Sequence, residues 1–160
     1  MVADALAARW ELGRERKRFR GRLLEGRASI EGSPRVALLW PETYMNEAGR
    51  SVGPARGHFK LELDRVIVVH DEIDLPFGEV RSRLGGGLAG HNGLRSIKQA
   101  LGGADFWRVR LGVGRPPTTD PEIVAAYVLA PFDEPADDVR ALVERGSEQV
   151  ERVLSGEDGN

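Results

Sequence analysis

The sequence predicts an α/β fold: a twisted mixed β-sheet flanked by helices, in a single domain over residues 1–160. Three observations predict it. Strand-like runs at 34–41, 65–70, 78–84 and 106–114 take turns with helical stripes at 48–59, 94–101 and 139–154. The run Val66-Ile-Val-Val69 is uniformly β-branched, whereas 78–84 and 106–114 alternate apolar residues with Arg, so buried and half-wet strands share one sheet. A chain of 160 residues, 41% of them hydrophobic, suits one core.

The elements follow in order. Val2, Ala5, Leu6 and Trp10 fall on one face of an opening helix that has no cap and no strand leading into it. Residues 14–22 are dense in cations: Arg14, Arg16, Lys17, Arg18, Arg20 and Arg22. Residues 19–31 read as an exposed strand, and Arg35 to Trp40, between two prolines, as a buried one. Thr43 to Asn46 open a weak helix striped by Ala48, Val52, Ala55 and Phe59, with a kink or early stop expected at Pro54. Arg65 to His70 is expected to be a central strand, followed by a polar loop from Asp71 to Pro76. The segments at 78–84 and 106–114 are expected to run antiparallel. Between them lie a glycine-rich loop, with five glycines from Leu84 to Gly93, and a helix striped by Leu94, Ile97 and Leu101 and closed by Gly102-Gly103. Asp120-Pro121 starts a short helix. Pro135 starts the last one, striped by Val139, Leu142, Val143, Val150 and Leu154.

Composition narrows the chemistry. With no cysteine, disulfides, thiolate metal sites, iron–sulfur clusters and thiol nucleophiles are excluded for these residues. No run approaches a membrane span, and no basic-then-apolar leader opens the chain, which favours a cytoplasmic protein. Residues 1–115 carry 20 Lys and Arg against 14 Asp and Glu, while the remainder carries 3 against 11. A basic body suits a polyanionic partner, although an acidic last helix on a solvated surface gives the same sums.

Four groups of residues could carry chemistry. Asp71 lies beyond the carboxyl end of the best strand, where open α/β sheets gather ligands, and a carboxylate there can orient a histidine base or simply cap a turn. His70, Asp71 and Glu72 are too close in an extended chain to face one metal ion together. The glycine-rich loop with His91 and Asn92 leads into a helix N-terminus and lets backbone N–H groups approach an anion; Asn92 could equally serve as the helix cap. Arg81 with Arg83, and Arg108 with Arg110, form a compact cationic patch if their strands are neighbours, and phosphate is its natural partner. Tyr44, Met45 and Asn46 could stack on and bind a nucleotide end, with core packing the simpler role for Met45.

Taken together, Pro41-Glu-Thr-Tyr-Met-Asn46, His70-Asp-Glu-Ile-Asp-Leu-Pro76, Leu84-Gly-Gly-Gly-Leu-Ala-Gly-His-Asn-Gly-Leu94 and Arg108-Val-Arg-Leu-Gly-Val-Gly114 resemble bacterial peptidyl-tRNA hydrolase, in family order and spacing over nearly the whole chain. The resemblance implies hydrolysis of the ester joining peptide to tRNA, by a monomer, with no cofactor, no metal and no membrane. It implies that Asp71 orients the base histidine and that Asn46 and Asn92 hold the substrate and its attacking water. Tyr44 would line the tRNA 3′ end, Met45 and His91 would line the same crevice, and Arg83 and Arg110 would clamp the tRNA 5′-phosphate. The family's base sits in a Thr-Arg-His-Asn segment after a first strand and a Gly-Asn-Pro-Gly loop. Neither motif occurs in these 160 residues, and Met1 aligns within the helix that follows them. The expectation is therefore a chain lacking the family's first strand and its base, and ending early as well. Two alternatives stand beside the hydrolase: a non-catalytic RNA-binding protein on the same fold, and a metal-dependent hydrolase using His70 and Asp71.

Overall fold

In the computed structural model, residues 1–88, 91–114 and 136–157 are described. Their strands form two sheets. In the first, β1 (Arg16–Arg18), β2 (Gly21–Arg27) and β3 (Arg35–Pro41) run antiparallel in the order β1-β2-β3. In the second, β4 (Ile67–Glu72), β5 (Val80–Leu84) and β6 (Trp107–Gly112) take the order β4-β6-β5, with β4 parallel and β5 antiparallel to β6. The mixed character of the second sheet and the antiparallel course of the two Arg-bearing strands are as the sequence predicts; the described strands divide between two sheets where the sequence suggested one.

Helix α1 (Val2–Arg9) and the last described helix, α4 (Ala136–Leu154), cover one face of the second sheet. Val2, Leu6, Trp10, Leu142 and Val150 pack there against Val109 and Leu111. The other face meets α3 (Asn92–Leu101), whose Leu94, Ile97 and Leu101 close over Phe106. Burying each such side chain contributes about 1.5–3 kcal/mol. These two clusters fix both faces of the sheet and so the position of its carboxyl end.

Helix α2 (Gly49–Phe59) crosses α3 at small residues. A Cβ on Gly49 would run into the Ser96 carbonyl and lie 2.8 Å from Ala100 Cβ, and the Gly49 N–H donates to Ser96 Oγ at 2.9 Å. This close approach holds the 3-10 turn Met45–Glu47, which leads into α2, against the start of α3. Of the kink or early stop expected at Pro54, the stop does not occur, and α2 continues to Phe59. Only the Arg50 carbonyl loses its helical donor, a cost that packing along the rest of the helix outweighs.

Other expectations need correction. Among the described residues the β-branched run forms an edge strand rather than a central one, and Val69 is 36% exposed. Its composition reports what the strand is suited to bury, not which neighbours the described chain supplies. Strand β3 is likewise an edge among the described residues, half-buried along most of its length. Strand β2, expected to be exposed, buries Gly21, Leu23 and Leu24. The strand β4 runs on through Asp71 and Glu72, which pair with Leu111 and Gly112, so the polar loop begins later than predicted. The helix expected at Asp120-Pro121 lies outside the described residues.

Phe19 and Arg20 form the two-residue turn between β1 and β2, with φ of 55° and 54°. Such turns favour Asn-Gly; for other residues the left-handed conformation costs about 1–2 kcal/mol each.

Candidate functional site

Strand register brings the arginines together. On β6, Arg108 pairs with Arg83 and Arg110 with Arg81 across to β5, while on the other side Arg110 stands opposite His70 of β4. All five side chains therefore leave the same sheet face. Arg83 and Arg110 sit diagonally across the β5–β6 pair, about 7–8 Å apart at the backbone, a span that two long guanidinium side chains can close on one phosphate.

Arg108, between them, is different. It is 2% exposed, lies over the Phe106 ring with its guanidinium carbon 4.8 Å from the centroid, and donates to the carbonyls of Gly87 and Ala104. Burial and the neighbouring charges of Arg83 and Arg110 lower its pKa. No carboxylate pairs with it among the described residues. The sequence placed Arg108 simply in the cationic patch; in the structure it ties the glycine-rich loop to the sheet beneath the exposed Arg83. A buried Arg that alternates with Val109 and Leu111 gives no sequence signal separating it from Arg110.

At the carboxyl end of β4, successive residues point to opposite faces. His70 lies on the arginine side. Its Nδ1–H donates to the Asp71 carbonyl at 2.9 Å, so Nε2 carries the lone pair, and Nε2 is buried with no hydrogen-bond partner among the described residues. Burial pushes the His70 pKa down to about 4, with Arg108 and Arg110 adding to the shift, so the ring is neutral near pH 7. His70 is therefore part of the wall beneath the site.

Asp71 lies on the opposite face, toward the start of α1. Its carboxylate is solvent-accessible within a crevice, and desolvation there raises its pKa. The Met1 ammonium and His91 act in the other direction. The carboxylate thus lies within the electrostatic reach of the chain's amino terminus, and a cation placed beside it would be stabilised.

His91 stands against His70, on the arginine side. Its ring meets His70 edge-on, with centroids 4.8 Å apart. Its Nδ1 accepts the Leu94 N–H at 3.1 Å, making His91, not Asn92, the cap of α3. The physical reason is geometric: His91 has the extended backbone of a cap residue, and a ring nitrogen can accept where a carboxamide usually does. Its lone pair is therefore committed to the helix, and burial lowers its pKa against the pull of Glu72 and Asp71.

Asn92, freed from capping, is the first residue of α3 and exposed. Met45 is 63% exposed rather than part of the core, and a Cβ on Gly93 would lie 2.6 Å from its sulfur. Gly93 thus lets the Met45 turn close on α3. That contact brings Asn46, also exposed, to the same end of the sheet as Asn92. Tyr44 is 81% exposed and lines an open cleft of about 460 Å³ together with Arg20, Glu42, Thr43, Glu47 and Arg50. Arg20 and Arg50 were not among the predicted site residues. Their signal was the unassigned basic run at 14–22 for the first and nothing for the second. Among the described residues no three His, Asp or Glu side chains are grouped to hold a metal ion, and His70 and Asp71 face opposite ways.

The arrangement is a crevice at the end of a sheet, walled by neutral histidines, flanked by exposed amides and bordered by a cationic face. Known proteins resemble this chain in sequence and in fold. The peptidyl-tRNA hydrolase family model matches residues 1–159. The peptidyl-tRNA hydrolase of Sorangium cellulosum is 53% identical over 133 residues, covering 83% of this chain and 58% of that protein. That of Afipia carboxidovorans is 47% identical over 159 residues, 99% of this chain and 76% of that one. The crystal structure of the Acinetobacter baumannii peptidyl-tRNA hydrolase superposes with a TM-score of 0.83 at 30% identity, covering 98% of this chain and 78% of that chain. The chain thus spans between about three fifths and three quarters of these relatives, and within that span sequence and fold agree: it belongs to the peptidyl-tRNA hydrolase family.

Proposed function

We propose that residues 1–160 form one domain that holds peptidyl-tRNA for hydrolysis of the ester between peptide and tRNA, recycling tRNA released from aborted translation in the cytoplasm. In this reading the protein is a monomer that needs neither metal nor membrane. Asn46 and Asn92 hold the substrate's ester and the attacking water, Tyr44 stacks on the 3′ end with Met45 and His91 beside it, and Arg83 and Arg110 grip the 5′-phosphate.

The observation that carries this reading is the division of labour at the crevice. Asp71 is available to a cation, while the two histidines nearby are not available as bases. The His70 lone pair is buried, and that of His91 caps α3. The third histidine, His58, lies on α2 beside Arg18 and Phe59. The base in this reading is the histidine of the family's Thr-Arg-His-Asn segment, which these 160 residues do not contain. A segment joined ahead of Met1 would enter within electrostatic reach of Asp71, whose pKa the Met1 ammonium lowers. The half-exposed edge of β4, unpaired among the described residues, also suits pairing with the family's first strand.

A second reading, an RNA-binding protein without turnover, is favoured by the same commitment of both crevice histidines. The two share the phosphate grip, which is tested first. Arg83→Ala should weaken tRNA binding and reduce the salt slope by about 0.7–0.9, one phosphate contact. An unchanged slope would remove the clamp.

A further inference from the structure

The densest run of cations in the chain, residues 14–22, has no part in the phosphate grip. In the structure it is the β1–β2 hairpin. Two of its arginines are paired: Arg16 with Glu25, and Arg22 with Glu15 at 2.9 Å. Lys17 and Arg20 are exposed and make no ion pair among the described residues. Cations on β1 could serve only to blunt an exposed sheet edge. That purpose does not explain the tip. An edge needs charge along the strand, whereas here the two turn positions, both left-handed, hold Phe and Arg where Gly or Asn would be unstrained.

The two tip residues do different things. Phe19 is an anchor: its ring packs on His58 and Phe59 of α2 at centroid distances of 5.4 and 6.2 Å, with Arg18 over it at 4.7 Å. Arg18 is held in turn by a hydrogen bond to His58 Nδ1. Arg20 is the displayed group. Its carbonyl accepts the Glu42 N–H at 2.9 Å, which ties the tip to the segment leading to Tyr44, and its side chain shares the cleft with Tyr44 and Arg50. Glu42 and Glu47 also line that cleft, and Glu47 is engaged by Arg50 at 3.6 Å.

We propose that the β1–β2 hairpin is a second RNA contact, with Arg20 and Lys17 binding the sugar–phosphate backbone of the single strand that continues from the nucleotide stacked on Tyr44. Charge complementarity and continuity with the Tyr44 face identify the occupant as RNA. The proposal rests on the reading that Tyr44 faces a nucleic-acid end. An exposed aromatic flanked by guanidinium groups is the usual platform for a single strand.

The test is binding of deacylated tRNA across a salt series, for the full chain and four variants. Arg20→Gly removes the charge and relieves the left-handed backbone, so it should raise the melting temperature while lowering the salt slope by about 0.7. Arg20→Gly with Lys17→Ala should lower the slope by about 1.4, two single-strand contacts. Arg20→Lys, which keeps the charge, should retain the wild-type slope. Arg83→Ala reports the separate phosphate grip. A reduced slope for Arg83→Ala with an unchanged slope for the hairpin variants overturns the hairpin contact and leaves the grip standing. A reduced slope for the hairpin variants alone supports the hairpin and removes the grip. If a loss of binding in Arg20→Gly came with a lower melting temperature and was matched by Arg20→Lys, the hairpin would be structural and the proposal overturned.

Discussion

His70 makes stability depend on acidity in a way that the structure specifies. Its pKa falls from the ordinary 6.5 to about 4, chiefly because the ring is buried, with His91, Arg108 and Arg110 disfavouring further charge. The unfolded chain therefore binds a proton that the folded chain refuses between those values. Stability from this group is full above pH 6.5 and is lost as pH falls toward 4. The whole difference is worth about 3 kcal/mol, and about 2 kcal/mol of it is gone by pH 5. His70→Asn keeps a donor near the Asp71 carbonyl but does not titrate. Urea unfolding of both proteins at pH 7 and pH 5 isolates the effect. The advantage of wild type over the variant should shrink by about 2 kcal/mol between the two. An advantage independent of pH, or a His70 resonance titrating near 6.5, would refute the burial argument.

Three further outcomes follow from particular contacts. His91→Ala removes the ring nitrogen that caps α3 and should cost about 0.5–2 kcal/mol in urea unfolding, whereas His91→Asn, which can still accept the Leu94 N–H, should recover most of it. Gly49→Ala drives a Cβ into the Ser96 carbonyl and should destabilise by about 1–3 kcal/mol, measured as a lower melting midpoint. In a chain extended by the Thr-Arg-His-Asn segment, Asp71→Asn should leave unfolding unchanged but reduce turnover of peptidyl-tRNA, because an amide cannot stabilise an imidazolium. Wild-type turnover in that variant would remove Asp71 from the mechanism.

Much of the molecule was legible in its periodicities. Period-two alternation in 78–84 and 106–114 correctly indicated antiparallel strands, and Leu94, Ile97 and Leu101 marked the buried face of α3. The quoted motifs identified the family, which they could do because specific residues recur at fixed spacing where a ligand must fit. Less was legible where the outcome depends on what lies opposite. Four β-branched residues look the same in a central strand and in an edge strand, so the exposure of Val69 could not be read from them. Arg108 and Arg110 share one alternation, yet one is buried under a glycine-rich loop and the other stays within reach of solvent, because the loop crosses only one of them. The capping role of His91 was hidden behind Asn92, the commoner cap type one position later. The left-handed tip at Phe19-Arg20 was invisible because neither residue favours that backbone.

The central claim is that the crevice holds substrate while the base comes from outside these 160 residues. Release of labelled peptide from peptidyl-tRNA tests it most directly, using the chain as it stands, its His91→Ala variant, and the chain extended ahead of Met1 by the family's first strand and Thr-Arg-His-Asn segment. The short chain should release little peptide, its His91→Ala variant no less, and the extended chain should turn over faster by about 10²–10⁴-fold, the usual contribution of a positioned general base. Full turnover by the short chain, abolished in His91→Ala, would contradict this and make His91 the base.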